Sequence, residues 1–91
     1  MKLGERKVTR IPRYESMAEL PGSEPYIWKG DEGIWWLYLP RCGVANLANH
    51  TVTENQDGTI TVTPSILTKG HDQGQSTEVH GFIINGVWKD A

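Results

Sequence analysis

The amino-acid sequence predicts a mainly β fold, either a small antiparallel sheet or a two-layer β-sandwich or roll of about six or seven short strands, with at most one or two short helical turns. Three observations favour this class. Ten glycines and five prolines imply frequent turns. The dipeptides Asp57-Gly58 and Asn85-Gly86, each between β-branched or apolar runs, are typical of hairpin turns. A further pair of aromatic runs flanks a glycine-containing loop.

Length and composition set the class of protein. The 91 residues fit one β-rich domain, residues 1–91, because two hydrophobic cores would not fit in so short a chain. No stretch approaches the roughly 20 apolar residues of a membrane span. No apolar signal-peptide core follows Met1, and the single Cys42 excludes an internal disulfide. We therefore expect a cytoplasmic protein without a membrane partner.

The first 13 residues form a basic N-terminal strand or arm. Their net charge is +4, which leaves −6 for the remainder of a chain whose total is −2. Arg10 and Arg13 are the candidate binding residues in this arm. Two interpretations stay open: contact with nucleic-acid phosphates, or a solvated edge strand whose charge prevents aggregation. The second is favoured because no aromatic residues are interleaved with the basic ones.

In the N-terminal half, residues 7–14 are predicted as a first strand, which Pro12 confines to a sheet edge. Residues 15–25 are predicted as loop with one short helical turn. The aromatic runs 26–28 and 34–39 are then predicted to form a hairpin with a five-residue loop.

The C-terminal half carries the clearer hairpins. Alternating threonines and β-branched residues predict strands 50–54 and 59–63. The segment before them, residues 44–49, is predicted as a short helical turn. Pro64-Ser65-Ile66-Leu67 is predicted to end the second of these strands. Residues 68–78 are predicted as a long polar loop, and loops of that length in small domains are often functional or mobile.

The last hairpin joins strand 79–84 to strand 87–89 through Asn85-Gly86. A type I′ turn there pairs Ile84 with Val87 and Ile83 with Trp88. Both faces of this hairpin carry apolar residues, so we predict that it belongs to the core.

Trp35 and Trp36 are candidate binding residues because neighbours on one strand point to opposite faces. Both belong to a core only if both faces of the sheet are covered. Otherwise one tryptophan is exposed and marks a surface for a partner or for self-association.

Cys42, His71 and His80 are the candidate metal ligands, with His50 the only other soft ligand in the chain. Their spacing lacks the close pairs of a typical zinc site. No cofactor is therefore predicted, although zinc stays an alternative. The competing interpretation makes Cys42 a small buried hydrophobe and His80 a hydrogen-bonded core histidine.

Catalysis has little support in the sequence. His71-Asp72 together with His80 resembles an acid–base pair. Catalysis needs a nucleophile or base within hydrogen-bond reach that a third group orients, and nothing in the sequence fixes that geometry. No catalytic residue is assigned, and the chain is expected to be non-enzymatic. A hydrolase that uses the histidine-containing loop stays the enzymatic alternative.

An ordered set of motifs covers roughly two-thirds of the chain from Trp28 onward. It consists of Leu39-Pro40-Arg41-Cys42-Gly43, Asp57-Gly58, Thr63-Pro64-Ser65-Ile66, Thr77-Glu78-Val79-His80 and Ile84-Asn85-Gly86-Val87-Trp88. This order resembles a family of small proteins of unknown function found in bacteriophages, prophages and mobile elements, which carries a Cys-x-x-Cys…Cys-x-x-His knuckle. The corresponding positions here are Leu39, Cys42, Thr77 and His80, so the resemblance implies that two of four zinc ligands are missing.

The resemblance implies a phage or prophage setting but no activity. Because the polar residues form no convergent set, whereas the turns and apolar strands are well specified, we expect a small accessory protein that binds a macromolecular partner without catalysis. A protein partner or a second copy is expected first, and nucleic acid bound by the basic arm second. A virion structural or assembly protein that acts by self-association is the alternative.

Overall fold

The computed structural model describes the whole chain, residues 1–91, as nine β-strands and two short 3-10 helices. The strands are β1 (Arg6–Lys7), β2 (Thr9–Arg10), β3 (Tyr26–Lys29), β4 (Trp35–Leu39), β5 (Gly43–Asn46), β6 (Thr51–Glu54), β7 (Ile60–Asp72), β8 (Gln75–Ile84) and β9 (Val87–Asp90). The 3-10 helices are Tyr14–Glu19 and Asp31–Gly33. The mainly β class is confirmed, with nine strands instead of six or seven. Neither helix has the length and apolar character needed to cross a membrane.

The strands form two sheets. The five-stranded sheet has the order β1-β9-β8-β7-β6, and the four-stranded sheet has the order β2-β3-β4-β5. All neighbours are antiparallel except β2 and β3, which are parallel. One buried cluster of 14 residues combines side chains from both sheets, so the two sheets enclose a common core.

The two hairpins predicted from turn dipeptides are confirmed. Asn85 and Gly86 both have positive φ, 48° and 77°, as a type I′ turn requires. Ile84 pairs with Val87 and Ile83 with Trp88, the predicted register. The Asp57-Gly58 turn likewise joins β6 to β7.

The aromatic hairpin is also confirmed. β3 pairs with β4 so that Trp28 lies opposite Trp36 and Lys29 opposite Trp35. The predicted loop between them contains the short helix Asp31–Gly33. The helical turn predicted within 15–25 is present as the 3-10 helix Tyr14–Glu19.

The predicted polar loop 68–78 is wrong. Residues 66–72 and 75–81 continue β7 and β8 as a long antiparallel ladder, and the chain turns at Gln73-Gly74, where φ is positive at both residues. The stretch looked like a loop because its outward side chains face solvent and are polar, which an antiparallel sheet permits on one face. Pro64 does not end β7, because a register shift between Val62 and Ile66 accommodates it.

Two further predictions need correction. Residues 44–49 are not helical: Gly43–Asn46 form the edge strand β5, which pairs with β4. The predicted first strand 7–14 is divided between the two sheets, because the chain crosses from β1 to β2 at Val8. Val8 packs in the common core and Ile11 in a second cluster.

Candidate binding groove

Trp35 and Trp36 point to opposite faces of the four-stranded sheet. Trp35 is 7% exposed and belongs to the common core between the sheets. Trp36 is half-buried on the outer face, where it packs beside Tyr26 and Trp28. Neither alternative holds in full, because Trp36 lies outside the common core but is half-buried against a second cluster. Its remaining ring surface makes the outer face the place to look for a binding site.

The outer face of this sheet is aromatic because of the β3–β4 register. Residues that pair directly in an antiparallel ladder share a face. Trp28 therefore lies beside Trp36, and Tyr26 beside Tyr38, with their ring centroids 6.2 Å apart. Adjacent aromatic pairs of this kind contribute about 0.5–1.5 kcal/mol beyond burial, so these rings stabilise one another.

The segment before β3 covers part of this aromatic face. Ile11 and Met17 pack against Tyr26 and Trp28. The ring of Tyr14 lies 5.8 Å from that of Trp28, although Tyr14 itself is 57% exposed. The covering is incomplete, so Trp28 is buried while Trp36 and Tyr14 keep accessible ring surface.

Two tyrosine hydroxyls fix the loop that follows the 3-10 helix. Tyr26 Oη donates a hydrogen bond to the Pro21 carbonyl and Tyr38 Oη to the Gly22 carbonyl, each at 2.7 Å. Burial, followed by the neighbouring Tyr26 and the charge of Asp72, raises the pKa of Tyr38. Tyr38 therefore stays protonated at neutral pH and remains a hydrogen-bond donor to the loop.

An open groove of about 620 Å³ lies where this segment meets the end of the β3–β4 hairpin. It is lined by Pro12, Arg13, Tyr14, Glu15, Trp28, Lys29, Gly30, Asp31, Trp36 and Val44. Its volume falls within the range of about 300–1,000 Å³ found for ligand sites. The groove has room for a few side chains rather than for a folded domain.

Gly30 lets the indole of Trp36 lie against the hairpin turn. A Cβ atom at position 30 would be 2.8 Å from Trp36 Nε1 and 3.0 Å from Cδ1. The amide of Gly30 donates to the Ile34 carbonyl at 2.7 Å, so its backbone is held in place. Only glycine leaves the indole in this position.

The charged residues that line the groove differ in whether they contact another group of the protein. Arg13, Glu15 and Asp31 line it and form no ion pair. The Lys29 ammonium, in contrast, lies 5.9 Å from the Trp35 ring centroid on the other side of the sheet. The groove therefore presents two carboxylates and one guanidinium to a ligand.

Of the four predicted binding residues, the structure brings Arg13 and Trp36 together and leaves the other two elsewhere. Arg10 Nη1 lies 2.7 Å from Glu54 Oε1, and its guanidinium carbon lies 5.0 Å from the Trp35 ring centroid. Trp35 is in the core. Tyr14, Glu15 and Asp31 were not predicted from the sequence. Tyr14 and Glu15 are more than 20 residues from Trp36, and only the fold brings them beside it, whereas Asp31 lies in the loop of the same hairpin.

The candidate metal ligands do not converge. Cys42 is buried, with its Sγ 3.9 Å from the Thr68 carbonyl oxygen, whereas His71 and His80 are exposed. No three His, Cys, Asp or Glu side chains lie close enough to hold one ion. Thr77 and His80 are three residues apart on one strand, so their side chains lie on opposite faces and do not share a knuckle.

His80 is not the core histidine of the alternative interpretation. Its Nε2 lies 3.1 Å from Ser65 Oγ on the exposed outer face of the five-stranded sheet. His50 Nε2 lies 3.2 Å from the Ser65 carbonyl oxygen, and its Nδ1 has no partner. No carboxylate hydrogen-bonds either imidazole, so the third group of a hydrolytic triad is missing.

The same outer face carries three large apolar side chains, two of which, Phe82 and Ile84, belong to the hairpin that was predicted to lie in the core. Leu67 is 58% exposed, Phe82 39% and Ile84 45%. β8 alternates, so Val79 and Ile83 are buried between the sheets while His80, Phe82 and Ile84 point outward. The closing hairpin thus contributes only one of its two faces to the core.

No family model, curated protein or solved structure matches this chain. The phage-associated family accordingly stays a prediction from the ordered sequence motifs alone.

Proposed function

We propose that this domain is a non-enzymatic binding module that holds a short, extended segment of a protein partner in the groove beside Trp36. The observation that supports it is the combination in one groove of accessible aromatic rings, Trp36 and Tyr14, with the unpaired charges of Arg13, Glu15 and Asp31. Tryptophan, tyrosine and arginine dominate the binding energy of protein interfaces. Aromatic grooves recur in domains that take extended, proline-rich peptides.

A protein partner is favoured over nucleic acid by what the basic arm does in the fold. Arg6 lies 3.9 Å from Glu24, and Arg10 lies 2.7 Å from Glu54, so two of its five cations face carboxylates. The groove itself contains more carboxylates than free cations. A phosphate backbone needs a continuous basic surface, and these residues do not provide one.

The setting that we propose, a phage or prophage accessory protein in the host cytoplasm, rests on the motif order alone. The binding proposal does not depend on it, because the groove is argued from its own side chains.

The proposal is tested by selecting binders from a random peptide library displayed on the surface of a carrier, with the purified domain as bait. Trp36→Ala removes one of the two accessible rings of the groove. Phe82→Ala, an aromatic truncation on the opposite outer face, is the matched control, and both variants are first checked for wild-type-like unfolding.

We expect enriched peptides that lose at least about 30-fold in affinity with Trp36→Ala, as for a hot-spot side chain worth about 2 kcal/mol. Phe82→Ala should leave their affinity unchanged. A selection without enrichment, or peptides that bind Trp36→Ala as well as the wild type, would contradict the proposal.

A second candidate function, self-association, is favoured by the exposed side chains Leu67, Phe82 and Ile84 on the five-stranded sheet. Clustered apolar groups on one sheet face are typical of interfaces. Light scattering coupled to size-exclusion chromatography tests this candidate. A monomer throughout the micromolar range would eliminate it, and an oligomer dissociated by Phe82→Lys would support it.

A further inference from the structure

We infer that the partner segment places a cationic side chain, arginine or lysine, against Trp36 and Tyr14. The inference rests on the proposed function and adds the chemistry of the ligand. It is carried by three features of the groove: free aromatic faces, unpaired carboxylates beside them, and the absence of an internal cation on these rings.

The aromatic faces come first. Trp36 is half-buried and Tyr14 is 57% exposed, so each keeps ring surface accessible from the groove. Trp28, only 4% exposed, supports them from below, 5.8 Å from Tyr14 between ring centroids. Tryptophan and tyrosine rings attract a cation placed over their faces through the ring quadrupole.

The cations of the domain itself do not use these rings. Arg10 and Lys29 both lie against the ring of Trp35, at 5.0 and 5.9 Å from its centroid. Arg13 lines the groove, yet it forms no ion pair and no cation–π contact. Both internal cation–π contacts are therefore on the inner tryptophan, and the outer one is left for a ligand.

The carboxylates provide the counter-charge. Glu15 comes from the start of the first 3-10 helix and Asp31 from the start of the second, so two separate elements deliver acids to one groove. Neither has an internal basic partner. A guanidinium or ammonium over Trp36 would form a cation–π contact with the ring and an ion pair with a nearby carboxylate. An anionic side chain in the same place would be repelled by the ring face and by the carboxylate.

Three synthetic peptides test the inference: Ac-Pro-Pro-Xaa-Pro-Pro-NH2 with arginine, glutamine or glutamate at Xaa. The readouts are tryptophan fluorescence and the indole Nε1–H resonances in NMR titrations. Two double variants accompany the wild type. Glu15→Gln/Asp31→Asn neutralises the groove, and Glu19→Gln/Glu32→Gln removes the same charge from the same two helices outside the groove lining.

We expect the arginine peptide to bind about 5-fold tighter than the glutamine peptide and the glutamate peptide more weakly still. The arginine advantage should disappear in Glu15→Gln/Asp31→Asn and persist in Glu19→Gln/Glu32→Gln. Equal binding of the three peptides, no binding of the arginine peptide, or preference for glutamate that is lost in Arg13→Gln would overturn the inference. Library peptides that need Trp36 but carry no basic residue would overturn it too, while leaving the proposed function standing.

Discussion

At the residue scale, close approaches of the backbone depend on single glycines. Gly70 on β7 passes so near the turn after β4 that a Cβ atom there would clash with the Cys42 carbonyl oxygen. Both partners are backbone atoms in paired or tightly turned segments. Neither can move as a flexible side chain would, so position 70 admits no side chain.

Gly70→Ala should therefore lower the free energy of unfolding by about 2–3 kcal/mol, the cost of forcing extra atoms into a packed site. Gly22→Ala is the control, because its Cβ would meet only Tyr38 Oη at 3.6 Å. Chemical denaturation of both variants measures the effect. A Gly70→Ala protein as stable as the wild type would show that β7 does not approach Cys42.

Gly30 has a similar role at the groove. Gly30→Ala should displace the Trp36 indole, because a Cβ atom at position 30 would lie 2.8 Å from Trp36 Nε1. It should lower the affinity of the peptides selected for the groove about as much as Trp36→Ala does. The Trp36 Nε1–H resonance should shift, while the resonance of buried Trp88 Nε1–H, bonded to Asp90, should not. An unmoved Trp36 resonance would contradict the contact.

Asp90 gives a pH-dependent prediction. Burial alone would raise the pKa of its carboxyl, but hydrogen bonds from Trp88 Nε1 and from the amides of Leu3 and Gly4, together with the charge of Lys2, lower it below 3.8. A lowered folded-state pKa stabilises the fold above the unfolded-state value and loses that contribution as pH falls through the folded-state value.

Asp90→Asn should accordingly be less stable than the wild type at pH 7. The difference should shrink below about pH 4 as the wild-type carboxyl becomes protonated. Urea denaturation at several pH values measures both. A difference that stays constant down to pH 2 would mean that the charge of Asp90 contributes nothing.

At the element scale, the long hairpin of β7 and β8 shows which signals a sequence provides. The Asp-Gly and Asn-Gly turns were readable because their residues favour the positive φ values of tight hairpins. Gln73-Gly74 has positive φ at both residues, as Asn85-Gly86 does, but glutamine is not a typical residue for this conformation. The outward-facing ladder pairs, such as Leu67 with His80 and Lys69 with Glu78, are mostly polar. The sequence therefore lacks the apolar–polar alternation that would have predicted two strands here.

Hydrogen exchange tests this element directly. Amides that pair across residues 66–72 and 75–81 should exchange far more slowly than those of the loop 20–25, because opening the ladder requires breaking consecutive hydrogen bonds. Exchange at the rate of an unstructured peptide throughout residues 68–78 would restore the polar-loop interpretation.

At the scale of the whole molecule, the fold class could be predicted from the sequence, but only some of the residues that line the groove could. Trp36 and Arg13 were found from strand parity and from the charge of the arm. The crossing at Val8 could not be foreseen, and it is this crossing that brings Tyr14 and Glu15 over the β3–β4 hairpin. Alternation along β8 was overlooked because apolar residues occupy both faces, so the exposure of Phe82 and Ile84 was missed.

The central claim is that the groove beside Trp36 is the binding surface of this domain, and backbone amide shifts during titration with Ac-Pro-Pro-Arg-Pro-Pro-NH2 test it most directly. The account predicts that the perturbed residues cluster around the groove, at Tyr14, Gly30, Trp36 and Val44. Perturbations confined to the face of Leu67, Phe82 and Ile84, or no perturbations at millimolar peptide, would contradict it.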